Sequence, residues 1–337
     1  LTSPLVSVLL PYRDEELFLG EALDSLRRQT LDDIEVLMVN DGSTDGSLSI
    51  AAAFARSDTR FRCIECSGRG LVDALNTALS EARAPWAARM DADDISLPRR
   101  LELQLQEAVR LGPRTVISCL VHCFPEEMVS DGYRVYENWV NSLIDPDEIE
   151  MGLFTESPIP HPSAFFHRES VSDAGGYTER ELPEDYELWL RLWKEGFRFQ
   201  KVPEVLLHWR ERPDRLSRTS SAYSLSSFYR LKAKYLHWVP SVRRSGGRVL
   251  IAGAGQTAKR LSKYLMREGF EIEAFIDPDK SREGTLLRGK QVVPPEAVGD
   301  WSLPVIVAVR APGAKMEIEG YLHSSGLVEW RDFVICS

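Results

Sequence analysis

No stretch of the sequence approaches the roughly 18 consecutive apolar residues that a membrane-spanning helix needs, so no transmembrane insertion is expected. No secretory leader is visible either. Cysteine is scarce, with five in 337 residues, and an odd, sparse set does not build a disulfide framework. A reduced, cytoplasmic compartment is expected. Cys63 and Cys66 have zinc-knuckle spacing, but a strand through them points the two thiols to opposite faces, and Cys119 and Cys123 lack a knuckle glycine. Buried free thiols are expected rather than zinc. Positive charge is in deficit: 41 Lys and Arg face 51 Asp and Glu, for a net charge of −10. That leaves no global field to draw in nucleic-acid phosphates. Repeats and low-complexity tracts are missing too. What remains is ordinary globular usage, 43% hydrophobic and 27% charged, in a length suited to two domains.

Strand and helix alternate over roughly the first 125 residues. Val6 to Leu10, closed by Pro11, reads as a strand, as do Ile34 to Val39, Phe61 to Ile64, Trp86 to Met90 and Thr115 to Val121. Glu15 to Gln29, with Leu19, Leu23 and Leu26 on one face, and Leu71 to Glu81 read as helices. Helices between strands demand crossover connections, so an α/β fold with a mostly parallel sheet covered on both faces is expected. In such sheets ligands collect beyond the carboxyl ends of the strands. From about Asp131 to Lys201 the pattern loosens into short helices and loops, apart from a marked helix over Asp185 to Glu195. Ala222 to Trp238 reads as a linking helix, and the chain resets at Ser245-Gly246-Gly247. The expected organisation is a first domain over 1–220, a linking helix and linker over 221–244, and a small second domain over 245–337.

Acidic clusters sit where the strands end. Asp91-Ala92-Asp93-Asp94 follows Trp86 to Met90, and two carboxylates spaced by one residue can hold a hard divalent cation. Such an ion neutralises charge on a departing diphosphate. The plain alternative is a helix N-terminus, announced by Ser96 and Pro98. Asn40-Asp41-Gly42-Ser43 offers a carboxylate for a nucleobase N–H, or simply a turn. Glu184-Asp185 opens an amphipathic helix and offers either a general base or a dipole cap. Between Arg210 and Arg244 lie nine Lys or Arg residues against Glu211 and Asp214 alone. Guanidinium groups there fit phosphate contacts; a solvated face is the ordinary explanation.

Taken in order, Val6 to Glu16, Val39 to Asp45, Gly70 to Asn76, Met90 to Asp94, His161-Pro162-Ser163, Gly175-Gly176-Tyr177 and Glu184 to Trp189 resemble the family 2 glycosyltransferases, which have a GT-A fold. The resemblance covers about residues 5 to 220. It implies a nucleotide-sugar donor, usually a UDP-sugar, an Mn²⁺ or Mg²⁺ ion, and inversion at the anomeric carbon. It further implies that Pro11, Tyr12 and Glu15 line the nucleoside pocket, that Asp41 receives the base N–H, and that Asp91 meets the ribose or metal. Asp93 would ligate the metal, with Arg210 and Arg212 on the donor. Asp185 would be the base with Glu184 beside it, and His161 and Trp189 would meet a hydroxyl acceptor. Two departures stand out. Arg212 occupies the place of a histidine that many members carry near the metal, and no Gln-x-x-Arg-Trp motif is present. Transfer of one sugar, not processive synthesis, is therefore expected.

Arg248 to Ala258 reads as a strand, a Gly253-x-Gly255-x-x-Ala loop and a helix start, with Asp277 placed where a Rossmann fingerprint has its ribose-binding acid. The remaining chain is too short for a full dinucleotide fold. A packing or regulatory role is expected, with a bound nucleotide or sugar as the alternative. The two-domain layout also resembles the proteins grouped with queuosine-tRNA galactosyltransferase, carried by Tyr136 to Leu143 and Gly253 to Leu261. That layout implies a modified tRNA nucleoside as acceptor and the arginine run as its backbone contact. A non-catalytic sugar-nucleotide binder and an NAD-linked sugar oxidoreductase are the competing functions.

Overall fold

The computed structural model describes residues 3–66, 68–178 and 181–337. They divide into two compact units, one made of 1–150, 158–180 and 184–219, the other of 151–157, 181–183 and 220–337. No helix among the described residues is long and apolar enough to cross a membrane. The five cysteines are free thiols, with Cys63 exposed and Cys119, Cys123 and Cys336 buried.

The first unit is built on an eight-stranded sheet. In chain order its strands are β1 (Val6–Tyr12), β2 (Ile34–Asn40), β3 (Phe61–Glu65), β4 (Trp86–Arg89), β5 (Ile95–Ser96), β6 (Thr115–Phe124), β7 (Phe165–His167) and β8 (Arg198–Arg210). Across the sheet they run β3-β2-β1-β4-β7-β6-β8-β5. The expected mostly parallel sheet is mixed. β1, β2, β3 and β4 pair in parallel, as do β6 and β8, but β7 lies antiparallel to both β4 and β6, and β5 antiparallel to β8. The reason is that β7 and the start of β8 fall in the segment read as loops. Three residues are too few for a recognisable alternation, and β7 is a strand only because β4 and β6 flank it.

β1, β2 and β4 are buried along their whole length, which is why their sequences are continuous apolar runs rather than alternations. Glu35 interrupts β2 and is nonetheless buried. Its carboxylate accepts from Ser7 Oγ at 2.7 Å, from Arg83 N at 2.7 Å and from Arg62 Nη1 at 2.8 Å. Burial works against ionisation, but these donors outweigh it and hold the Glu35 pKa below its ordinary value.

The second unit carries a smaller sheet of β9 (Arg248–Ala252), β10 (Glu271–Ile276), β11 (Leu286–Leu287), β12 (Lys290–Val293), β13 (Val305–Val307) and β14 (Phe333–Ile335), in the order β11-β12-β10-β9-β13-β14. Only β11 runs antiparallel. Leu250, Ala252, Ala274, Ile276, Val305 and Val307 form its core with Ile318 and Leu322. The helix Leu225–Leu236 belongs to this unit.

Glu35→Gln removes a charge that three donors surround, and a loss of about 1–3 kcal/mol is expected. A depressed carboxylate pKa stabilises the fold above the unfolded pKa and ceases to do so as pH falls through the folded one. The melting-temperature gap between wild type and variant should therefore be full at pH 7 and close as the pH drops through the carboxylate range.

Candidate active site

β1, β2 and β4 are adjacent and parallel, so the loops leaving their carboxyl ends share one edge of the sheet. The first two loops are tied together. Asp14 and Glu15 backbone amides donate to Ser43 Oγ and Ser47 Oγ at 3.1 and 2.8 Å, and Glu16 N donates to Asp45 Oδ2 at 2.9 Å. In return Thr44 N donates to Asp14 Oδ1 and Gly46 N to Glu16 Oε2. Beneath these ties lie the buried Pro11, Tyr12 and Asp41. Asp41 N donates to the Tyr12 carbonyl, and its Oδ1 accepts from Gly70 N at 3.2 Å. Gly42 has φ +79°, a backbone conformation that favours glycine, and a Cβ there would meet Gly68 Cα at an ordinary contact distance of 3.5 Å. The Tyr12 hydroxyl is buried with no hydrogen-bond partner, and burial pushes its pKa upward.

Past β4 the chain turns through Asp91, Asp93 and Asp94, each offering an oxygen within 4.8 Å of the others. β5 pairs with β8, Ile95 opposite His208, and this brings the end of β8 onto the acid loop. Arg210 N donates to Asp94 Oδ1 at 2.7 Å and its Nε to the Asp93 carbonyl at 2.6 Å. The rest of the Arg210 guanidinium pairs with Glu21 and lies over Phe18 and Phe124. Arg212 reaches further in: its Nε stands 3.1 Å from Asp93 Oδ2 while its Nη2 pairs with Glu15. Glu15, expected at the nucleoside, thus stands with the acid loop. Burial lifts its pKa to about 7 despite the Arg212 contact. Asp94 Oδ2 is buried and unpartnered.

Arg89, at the end of β4, is 1% exposed and its Nη1 lies 2.6 Å from Asp91 Oδ1. Burial alone would raise the Asp91 pKa; Arg89, joined by the charges of His161 and Arg215, outweighs it and holds the Asp91 pKa below its ordinary range. Asp93 is pushed up by burial and then by the charge of Asp91, and Asp94 is pushed up further by burial and both neighbours. On its other side the Arg89 charge acts on His161, Tyr177, Glu184 and Asp185. Glu184 Oε1 is 3.4 Å from His161 Nδ1, and His161 Nε2 meets the Tyr177 hydroxyl at 3.0 Å. Asp185 opens the helix Glu184–Lys194, and burial together with the Glu184 charge lifts its pKa to about 8.

The structure therefore brings Asp91 and Asp93 together with Asp94, Glu15 and Arg212, and leaves Asp185, Glu184 and His161 within the field of Arg89, the partner of Asp91. Trp189, expected at an acceptor, is fully buried with its indole N–H donating to the Ile159 carbonyl. It packs edge-on beneath His161 and has no surface to offer a ligand. The basic run is not a free patch either. Besides Arg210 and Arg212, Arg215 and Arg218 both pair with the buried Glu211. Tyr177 and Asp94 stand in motifs of the sequence that carry no role for them there, and Arg89 stands outside the acid motif, as the last residue of β4 two positions before Asp91.

A protein-family model described as glycosyl transferase family 2 matches residues 7–175. The chain belongs to this family. It is 30% identical to EpsE, a glycosyltransferase of Bacillus subtilis, over 67% of this chain and 80% of that protein. It is 27% identical to the Escherichia coli UDP-Gal:alpha-D-GlcNAc-diphosphoundecaprenol beta-1,3-galactosyltransferase, over 69% of this chain and 83% of that one. In structure it is similar to residues 1–349 of S. aureus TarS in complex with UDP, with a TM-score of 0.52 and 17% identity over 78% of this chain and 71% of that one. As a family 2 glycosyltransferase it transfers a sugar from a nucleotide-sugar donor.

The acid loop suits a divalent cation. Its donors are all hard oxygens, they converge, and the orphaned Asp94 Oδ2 lacks the positive partner that a buried carboxylate needs. Arg212 already brings one positive charge to Asp93.

Electron paramagnetic titration with Mn²⁺ should find Asp93→Asn and Asp94→Asn each weakened at least tenfold, about 1.4 kcal/mol. Arg212→His, which removes the competing guanidinium, should bind Mn²⁺ more tightly than wild type.

Proposed function

We propose that this family 2 enzyme transfers a single hexose from a UDP-sugar to the hydroxyl of a saccharide acceptor, with inversion, dependence on Mn²⁺ or Mg²⁺, and Asp185 as general base. One observation carries the reading: a single buried arginine, Arg89, pairs with Asp91 at 2.6 Å and lies near enough for its charge to act on Glu184 and Asp185 as well. Cation-binding acids and a proton acceptor are thus within the field of one arginine. Asp91, Asp93 and Asp94 would hold the cation, which when bound supplies positive charge against the leaving diphosphate.

The other residues bind and orient. Asp41, fixed between two loops, receives the base N–H, and Tyr12 presents its unpaired hydroxyl to the nucleoside. Arg212 exchanges a carboxylate for a diphosphate oxygen. Asp185 takes the proton of the acceptor hydroxyl as that oxygen bonds to the anomeric carbon and the bond from that carbon to the diphosphate breaks. Attack from the side opposite the leaving group inverts the centre. A carboxyl with a pKa of about 8 is a better proton acceptor than an ordinary carboxylate, though it must first be ionised. His161, held by Glu184 and Tyr177, stands beside the base to meet the acceptor.

A saccharide is favoured as acceptor because the Escherichia coli relative names a lipid-linked GlcNAc as its own. The modified tRNA nucleoside has less support. Arg210, Arg212, Arg215 and Arg218, the dense part of the run, are matched by Glu21, Glu15, Asp93 and Glu211, which commits them to contacts within the fold rather than to a nucleic-acid backbone.

Asp185→Asn should lower kcat by about 10²–10⁴-fold while UDP binding and the melting temperature are kept. Wild-type kcat/KM should rise with pH and level off above about 8, because the base works only when ionised. Donor turnover that survives the substitution, or a flat pH profile, would contradict the base assignment. Chelation by EDTA should abolish transfer, and undiminished metal-free turnover would contradict the cation requirement.

A further inference from the structure

The second unit contains a cavity of about 410 Å³, within the range of small-molecule sites. Its floor is the carboxyl edge of the small sheet, beside Gly253 after β9 and Ala308 after β13. In strand order β9 stands between β10 and β13, so the chain leaves it first to one side and later returns on the other. Open α/β sheets bind ligands in the crevice at such a switch point.

Two helices begin at this cavity. Gly255 precedes the helix Gln256–Arg267 and Ala311 precedes Pro312–Ser324, and both residues line the space. Neither start has a side chain capping it. The first N–H groups of the helix at Gln256 and the positive ends of both dipoles therefore stand at the same volume, while Pro312 brings no N–H to the second start. Two guanidinium groups join them. Arg282 is held by Asp277 and Asp279, each at 3.2 Å. Arg310 is exposed and has no acidic partner among the described residues. Val309, Ala314 and Ile318 make an apolar wall, and Glu317 is the remaining acid of the lining.

Asp277 lines the cavity and is engaged on both oxygens. Its Oδ2 accepts from Ala254 N at 2.7 Å and from Arg282, and its Oδ1 from Asp279 N at 3.0 Å. It braces the glycine loop and holds Arg282 above it. The glycines divide the work. A Cβ on Gly253 would collide with Val309 Cγ2 at 2.6 Å, so that glycine serves packing. At Gly255 the first neighbour of a Cβ is Arg282 Nη1 at 3.8 Å, so that glycine leaves open space between the helix start and the guanidinium.

We infer that this cavity is a second ligand site, separate from the transferase centre, that binds the diphosphate of a nucleoside diphosphate between the two helix starts, Arg282 and Arg310. The nucleoside lies along the wall of Val309 and Ile318. The site carries no group suited to breaking the bond, so it binds and does not react.

Calorimetric titration of the full chain in EDTA, with inorganic pyrophosphate and with UDP, tests this. Saturable binding of both is expected. It should weaken at least tenfold in Arg310→Ala, disappear in Gly255→Glu, which places a carboxylate where the phosphate sits, and persist in Asp93→Asn. Absence of binding in wild type overturns the inference. So does binding that Asp93→Asn removes while Gly255→Glu and Arg310→Ala leave it intact, since that locates the ligand in the first unit. Should Gly255→Glu melt early, the exposed Arg310→Ala carries the test alone.

Discussion

A carboxylate taken out of water must find a positive partner or give up its charge, and the first unit is arranged around that requirement. Asp91 has Arg89, Asp93 has Arg212, and Glu211 has Arg215 and Arg218. Asp94 has a backbone amide on one oxygen and the Arg215 charge without an ion pair, and Asp185 has the repelling charge of Glu184 against a weaker pull from Arg89. The last two are the acids with the most strongly raised pKa. Compensation is incomplete where chemistry is proposed: a deficit of positive charge at Asp94 invites a cation, and a deficit at Asp185 makes a proton acceptor. Full compensation of every acid would give a more stable site with nothing left to do.

Polar ties with no direct part in the chemistry fix other details. The helix Leu19–Arg27 begins four residues later than its apolar spacing suggests; Glu15 and Glu16 lie in the strand-end loop instead, where their amides donate to Ser47 and Asp45. Tyr177 is aimed at His161 because Asn76 clamps its backbone on both sides, accepting from Tyr177 N and donating to its carbonyl. Gly176 has φ +61°, and its missing Cβ would sit 2.8 Å from Asn76 Oδ1, so glycine is required there for close approach as well as for conformation. Arg191 then holds the Gly176 carbonyl from the helix that carries Asp185.

Much of this was legible in the chain. Leu71–Glu81 and Arg248–Ala252 have the bounds that their periodicity predicts. β1 outruns its expected end because Pro11 gives up one donor but keeps its place beside Val39. The acid motifs were readable because each follows an apolar run, and strand ends are where loops gather. Misreadings have a common cause. Trp189 has a surface role by its place in a motif, yet it stands one turn below Asp185 on the same side of the helix, where the chain has already entered the core. The arginine run looked like a patch because its partners, Glu15, Glu21 and Asp93, are remote in sequence.

Local composition determined that the protein is an α/β enzyme of the glycosyl transferase 2 family with carboxylates at its strand ends, since apolar periodicity and turn chemistry act over a few residues and leave their mark in order. Which charges meet was decided only in three dimensions. The antiparallel pairing of β5 with β8 delivers Arg210 and Arg212 to the acid loop, the insertion of β7 sets His161 beside Glu184, and burial selects Asp94 and Asp185 as the acids left wanting. Pairing between distant segments depends on the whole sheet closing at once, and no window of sequence contains that.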